Sequence, residues 1–425
     1  MQLFFEIRKC EGIEVKKMKI KFLGGAEEVG RLAIKIEDKQ SRIMVDYGIE
    51  PEKPPEYPLP PEKVDDIFVT HAHLDHTGAL PVYYHSYSAN LHATAMTANS
   101  IVPILKDSLK IMNLENYTKM YNEDDISNLF NSLVTANYGE PFEVGNLTAK
   151  AYSAGHIPGS SMWWFEDSKS FMITGDLYTR DTNLLKGAKP VKTDILIMES
   201  TYAGRDHEDR DEVIKRLKDS IKETIDNGGK VILPTFAIGR TQEMAMILRD
   251  MNYTIYVDGM GNSISRIYMD TPGFLRDPKL FRKSMGRVIQ VRNNRMRKEA
   301  LEEADIIITT SGMLDGGPVL GYIDALSQDP KSAIFLTGYQ VDGTNGRSLM
   351  ENGTIKIAGA TIKPAMKVDF FDLSAHAGHS DLVKFIKEID PETIVLCHGD
   401  QREKLQEAIP EYNFVLPFNG HEFEL

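Results

Sequence analysis

Short runs in which apolar and polar positions alternate, KIKFLG, LAIKIED and RIMVDYG, follow one another from about Lys19 to Asp66, broken by Gly, Asp and Pro. Period-two alternation buries one face of an extended segment, so this stretch predicts antiparallel strands. The Pro-rich EPEKPPEYPLPPEK reads as an extended loop. After it, IVPILKDSLKIMNLENYTKMYNEDDISNLFNSL carries apolar residues at helical spacing, and strands return in LTAKAYSAG, SMWWFED and SFMITGD. Beyond TDILIMESTY the period changes. The amphipathic DEVIKRLKDSIKETIDNGG, the apolar KVILPTF, the helical GRTQEMAMILRDM and the apolar YTIYVDG alternate helix with strand, which predicts a parallel α/β unit. ADIIITTSG, SAIFLTGYQ and ETIVLCHGD are further strands, and HSDLVKFIKEID is a further helix.

A chain of 425 residues with 42% hydrophobic and 26% charged residues is an ordinary globular sequence, long enough for two compact units or for one carrying an insertion. Its apolar runs are strand-sized, well short of the roughly 20 residues a bilayer requires, so no membrane partner is expected. The N-terminus has no small-residue cleavage site after an apolar region, and a cytoplasmic location is expected. Residues 1–17 read as an extension ahead of a first strand at MKIKFLGG. Cys10 and Cys397 are the two cysteines, which excludes a disulfide framework and thiolate metal sites. A net charge of −13 argues against nucleic-acid binding by bulk charge. Any nucleic-acid contact then needs a local basic groove, and RKSMGRVIQVRNNRMRK (residues 282–298), with seven Lys or Arg and no acid, is the candidate phosphate-tracking surface.

The densest chemistry lies in THAHLDHTGAL, residues 70–80. His71 and His73 alternate and can grip one ion, while Asp75 and His76 can face a second. Six positions cannot complete two sites, so the rest must come from strand ends aimed by Gly-containing loops. YSAGHIPGS offers His156, IVLCHGD offers His398, and FMITGDLYTR offers Asp176, a carboxylate able to bridge two cations. The expectation is His71, His73 and His156 around one ion, Asp75, His76 and His398 around the other, and Asp176 between. This nitrogen and oxygen donor set suits two zinc ions, with manganese or iron as other candidates.

HAHLDH, together with Asp46 in VDYG, His156 in SAGHIPGS and Asp176 in TGDL, resembles the metallo-β-lactamase superfamily. That resemblance implies an αββα sandwich with a metal cleft at its edge, and gives Asp46 the role of orienting the ligand loop. Glu199 in MESTYAGRDH, His376 in DLSAHAGHSD and His398 in LCHGD are similar, in this order, to the three later motifs of the β-CASP nucleases. PTFAIGRTQE, TSGMLDGGP and TGYQVDGTNGR resemble that family's inserted domain. The implied layout is a metallo-β-lactamase domain over 18–200, resuming over 350–425, with a parallel-sheet β-CASP domain over 201–349. The implied chemistry is hydrolysis of phosphodiester bonds in single-stranded RNA: two cations activate a water, His376 is the general acid, Glu199 holds and charges it, and Asp75 is counted with them among the catalytic groups. A His376 imidazole raised in pKa by a neighbouring carboxylate can donate a proton near neutral pH.

Other residues enter with smaller parts. His207 in GRDH follows the first of those motifs and reads as a support or substrate contact. Ser311 and Arg347 sit in Gly-rich loops able to touch phosphates. His85, His92, His379 and His421 are expected at the surface or as caps. DLSAHAGHSDLVKFI and CHGD look like the archaeal and eukaryotic cleavage and polyadenylation specificity factor group, here without the KH RNA-binding domains of some archaeal members. Single-stranded RNA is the expected partner, cut internally or from the 5′ end, and a homodimer is one assembly this admits. The rivals are a hydrolase of a small ester or lactam, a DNA-acting nuclease, and a catalytically silent RNA-binding subunit. Glu199, His376 and the large insertion argue against the first of these, and the intact ligand motifs against the last.

Overall fold

The computed structural model describes residues 18–38 and 40–425, so the extension expected over residues 1–17 lies outside the described residues. Two seven-stranded sheets form the larger unit. In the first, Lys19–Gly24, Ala33–Glu37 and Arg42–Val45 pair antiparallel as their alternation predicts, and Asp66–Phe68 then joins Arg42–Val45 in parallel. In the second, Leu147–Ser153, Ser161–Glu166 and Ser170–Ile173 pair antiparallel, and Ile195–Glu199 and Thr393–Cys397 extend the sheet in parallel. The inward positions of both sheets meet in one core, where Ile20, Phe22, Val45 and Phe68 face Ala149, Trp163, Phe165 and Ile197. Helices cover the outer faces: Ala95–Leu114 lies over the first sheet, and His379–Ile389 over the second with Leu382, Phe385 and Ile386 turned inward. This is the expected αββα sandwich.

A third sheet of six strands, all parallel, is built from Val231–Pro234, Ile255–Asp258, Ile289–Gln290, Ile306–Thr309, Ala333–Leu336 and Lys367–Phe370. Helices pack on both of its faces, which explains why VILP, IIIT and AIFL are apolar throughout and do not alternate. Lys367–Phe370 belongs to this sheet through its pairing with Ala333–Leu336. The boundary expected at 349/350 therefore falls ahead of the insertion's last strand, and by sheet membership the chain leaves the insertion after Phe370.

Strand direction aims the site. Leu147–Ser153, Ser170–Ile173, Ile195–Glu199 and Thr393–Cys397 all run the same way, so His156, Asp176, Glu199 and His398 emerge from one edge of the second sheet. Arg42–Val45 and Asp66–Phe68 deliver Asp46 and His71 from the first. His376 follows the third sheet's last strand, Lys367–Phe370. Ligand sites form outside the carboxyl ends of such strands. Gly48 lets two loops close there: a Cβ at this position would lie 1.7 Å from the Asp75 carbonyl oxygen, which accepts from Leu32 N–H at 2.8 Å.

Trp163 braces the same edge. It is fully buried, its Nε1–H donates to the Val69 carbonyl at 2.9 Å, and its ring meets Phe68 edge-on at 4.9 Å. Trp163→Ala is expected to cost about 3–5 kcal/mol through the cavity it leaves, with Trp163→Phe costing less. The shift in the urea unfolding transition measures both.

Candidate metal centre

The helical turn Leu74–Thr77 begins inside HAHLDH. His71 and His73 stand ahead of it and Asp75 and His76 within it, so the two pairs face different ways. His71, His73, His156 and Asp176 each offer a donor atom within 4.8 Å of the others, and so do Asp75, His76, Asp176 and His398. Asp176 belongs to both groups, one oxygen to each. Its Oδ2 lies 3.4 Å from His71 Nε2 and 3.5 Å from His156 Nε2. Its Oδ1 lies 3.1 Å from His76 Nε2 and 3.5 Å from His398 Nε2. All seven residues singled out in the sequence are thus brought together.

The hydrogen bonds behind these groups turn lone pairs toward the centre. Asp46 Oδ2 receives His76 Nδ1 at 2.7 Å, and the two Asp46 oxygens also accept from Thr70 N–H and Thr70 Oγ1–H at 2.7 and 2.6 Å. Thr70 Oγ1 lies 3.1 Å from His71 Nδ1, and the Ala375 carbonyl lies 2.8 Å from His156 Nδ1. An imidazole that donates through one nitrogen presents an unprotonated second nitrogen. Consequently His71 Nε2 and His156 Nε2 stand 3.0 and 3.2 Å from His73 Nδ1 with no proton for every pair. His73 Nε2 and His398 Nε2 are buried without any hydrogen-bond partner, and Asp176 Oδ1 has no neighbour closer than the ion-paired His76 Nε2 at 3.1 Å. Converging buried acceptors of this kind are what a divalent cation satisfies, and the residues fit that group.

The electrostatics give the same reading. Burial and the neighbouring His76 charge hold the His71 imidazole down to about 3, and burial and His376 hold His156 well below its usual range. Burial alone would depress His76 too, but Asp176, Asp75 and Asp46 raise it well above the ordinary histidine value. Protonating His76 supplies the positive charge that the enclosed carboxylates demand, a part that a bound cation would take over. Asp46 and His398 adopt φ of +59° and +50°, left-handed conformations uncommon outside glycine and found at functional sites.

Beside this cluster, His376 Nδ1 lies 3.2 and 3.3 Å from the two Glu199 oxygens, and His376 Nε2 is 3.7 Å from Asp176 Oδ2. Glu199 Oε1 also accepts the Leu177 N–H at 2.6 Å, which fixes the carboxylate. Burial works against a charged His376 ring, yet Glu199 and Asp176 raise it to about 9. His207 stands behind it: Nδ1 lies 2.7 Å from Asp372 Oδ2 and Nε2 3.0 Å from the His376 carbonyl. Asp372 and Thr70 were not singled out in the sequence. The signals were present, a carboxylate just after a strand in FFDLSAHAG and a hydroxyl directly before HAHLDH, but their partners are set by the fold.

The other expectations divide. Arg347 is ion-paired with Asp342 and Glu351, at 3.3 and 2.6 Å. The two Gly-rich loops are packed on one another, with Gly346 N–H donating to the Met313 carbonyl at 2.8 Å, so glycine serves close packing there. His92, expected at the surface, is a core residue: it is 4% exposed, stacks on Phe68 at 4.5 Å and holds Asp66 at 2.7 Å. His85 is an exposed partner of Asp125. His379 begins its helix and accepts the Gly204 N–H at 3.0 Å. His421 stacks on Phe418 at 4.6 Å. Within the basic stretch, Arg297 pairs with Asp258 and Arg295 with Glu299. Arg292 lines a 620 Å³ cavity that Lys106, Lys110 and Arg266 also face, away from the metal cluster. Cys397 is buried, and burial pushes its thiol up. Among the described residues, no helix is long and apolar enough to cross a membrane.

Comparison with known proteins agrees with this arrangement. Residues 28–219 match the metallo-beta-lactamase superfamily, 241–349 the Beta-Casp domain, and 361–413 the Zn-dependent metallo-hydrolase RNA specificity domain. The chain is 38% identical to a probable RNase of Methanocaldococcus jannaschii, over 90% of this chain and 94% of that protein. It is 34% identical to an RNase of Saccharolobus solfataricus, over 97% and 87%. It is 30% identical to the transcription termination factor FttA of M. jannaschii, over 92% and 68%. A crystal structure of a protein of unknown function from Enterococcus faecalis shares the fold, with a TM-score of 0.60 at 16% identity, covering 96% of this chain and all of that one. The two joined donor groups at the sheet edge, the inserted parallel sheet and these relatives lead to one conclusion: the chain belongs to the β-CASP ribonuclease family of the metallo-β-lactamase superfamily.

Proposed function

We propose that this hydrolase cuts phosphodiester bonds of single-stranded RNA at a centre of two zinc ions, with manganese or iron as other occupants. The observation that carries the reading is Asp176, whose two oxygens face two separate donor groups, with the His376–Glu199 pair alongside. His71, His73 and His156 would hold one cation, Asp75, His76 and His398 the other. Two such cations lower the pKa of a water and neutralise phosphoryl oxygens. His376 supplies what they do not. Glu199 accepts its Nδ1–H and, with Asp176, holds the ring as the imidazolium, so Nε2 also carries a proton, the one the departing sugar oxygen needs. His207 and Asp372 hold the His376 backbone in place. The names of the relatives and the RNA specificity match support RNA as substrate.

The test is incubation of the metal-loaded protein with 5′-labelled and internally labelled single-stranded RNA, with and without chelator. Cleavage that chelator abolishes is expected, and release of 5′ mononucleotide separates exonuclease from endonuclease action. RNA left intact with metal present overturns the reading.

The cavity around Arg292 is a surface for the substrate's backbone away from the cut. Lys106, Lys110, Arg266 and Arg292 reach it from both units of the chain. Reversing Lys106 and Arg292 to Glu is expected to weaken RNA binding and to shrink the log affinity against log salt slope by about 1.4, roughly 0.7 for each single-strand phosphate that the protein no longer neutralises. Filter binding across a salt series measures it.

A further inference from the structure

Arg240 begins the helix Arg240–Ile247 at the carboxyl end of the strand Val231–Pro234. Gly239 before it has a φ of +78°, and a Cβ there would come within 2.8 Å of Ile157 Cγ2. Ile157 directly follows His156, so the start of this helix abuts the first donor group. The charges acting on Arg240 identify its surroundings. Burial and the cation of Arg210 push its guanidinium down to about 10, against Glu243 and Asp372. Tyr202, whose phenol responds to Asp372 and to Arg240, places its ring 6.1 Å from the His376 ring and 4.3 Å from His207. Arg240 therefore stands at the rim of the proton-donor cluster.

Its partners are missing. Arg240 Nε is sealed from solvent with no hydrogen bond, and among the described residues the guanidinium enters no ion pair. Other enclosed arginines in this fold are satisfied. Arg210 donates to Glu243 Oε1 at 3.1 Å and to the Leu373 and Ser374 carbonyls at 3.3 Å. Arg402 donates to the carbonyls of Ala26, Leu396 and Pro417 at 2.9, 3.1 and 2.6 Å. Arg240 as a whole is half-buried, so its fork opens toward solvent while the sealed Nε–H has no partner, and a buried donor left unpaired costs stability. Glu243, the nearby carboxylate, is already engaged by Arg210, by Asn183 and by the Leu184 N–H.

We propose that the missing counter-ion is a phosphate of the RNA, and that Arg240 clamps a phosphodiester group next to the one being cut. The planar guanidinium fork matches phosphate oxygens in pairs, and Tyr202 links this clamp to the His376 side of the cleft. The proposal rests on the ribonuclease reading.

The test separates the two. Metal-loaded His376→Ala protein, in which cleavage is expected to be slow enough for binding to be read, is titrated with a short fluorescein-labelled oligouridylate, followed by anisotropy, with and without Arg240→Met. Arg240→Met is expected to weaken binding by about 10- to 100-fold, the range of a lost charge-assisted hydrogen-bond pair, and to shrink the salt slope by about 0.7. Its thermal midpoint is expected to stay level or rise, because a sealed donor without a partner has gone. Arg240→Lys, which keeps charge without the fork, is expected to keep the salt slope and lose part of the affinity. Unchanged affinity and slope in Arg240→Met overturn the clamp alone. A fallen midpoint together with weakened binding in both variants also overturns it, by making Arg240 a structural residue. A parent protein that binds no oligouridylate overturns the ribonuclease reading and the clamp together.

Discussion

Asp176→Asn is expected to lower RNA hydrolysis by about 10³-fold or more. The carboxylate oxygens lie 3.1 to 3.5 Å from four different imidazole nitrogens, two on each side. Asparagine keeps one oxygen, loses the charge, and turns an amide N–H₂ toward one of the groups. A cation held on that side would meet a donor where it needs an anion. Metal-centred charge stabilisation is worth several kcal/mol in a phosphoryl-transfer transition state, and each 1.36 kcal/mol is a factor of about ten in rate. Loss of one cation therefore accounts for the expected deficit. Metal content should fall below two ions per chain, measured by elemental analysis after dialysis. The metal-free variant should be less stable than the metal-free parent, since against burial the His76 and His376 charges hold the Asp176 carboxylate well below its usual range and would lose that partner. Full metal content with cleavage within about tenfold of the parent would refute the bridging role.

The metal cluster was legible because chemistry and chain geometry agree there. Four donors fall within six residues, and each remaining donor follows an apolar run and adjoins glycine, where a strand edge must hand over to a loop. The third sheet was equally legible, since VILP, IIIT and AIFL have no polar alternation to give one face to water. What the residues did not show is pairing through space. His156 is oriented by the Ala375 carbonyl 219 residues away, and His207 by Asp372 at a separation of 165. Composition misled at His92, whose polarity suggested solvent but whose ring is absorbed by Phe68 and whose Nε2 meets Asp66 Oδ1 at 2.7 Å. The basic stretch reads as seven free cations in sequence. Packing pairs two of them with Asp258 and Glu299 and sets Arg292 opposite lysines from the other unit.

The division of labour within the site predicts a different signature for His376. His376→Ala removes the proton donor and leaves both donor groups in place, so metal content should be unchanged while RNA cleavage falls by about 10²–10⁴-fold, the usual worth of general acid catalysis. A leaving group that needs no proton separates this from general damage. With a p-nitrophenyl ester of a nucleotide as substrate, departure of the phenolate is easy, and the deficit of His376→Ala should shrink to within about tenfold. Glu199→Gln should move both substrates in the same directions by less, because it leaves the imidazole but removes the anion 3.2 Å from Nδ1 that keeps the ring charged. An equal loss on RNA and on the nitrophenyl ester would mean that His376 holds the site together and donates no proton. Its Nε2, 3.7 Å from the shared carboxylate and on a side chain 20% exposed, faces both the metal cluster and the open cleft, the position from which a leaving oxygen can be reached without displacing any residue that would hold a cation.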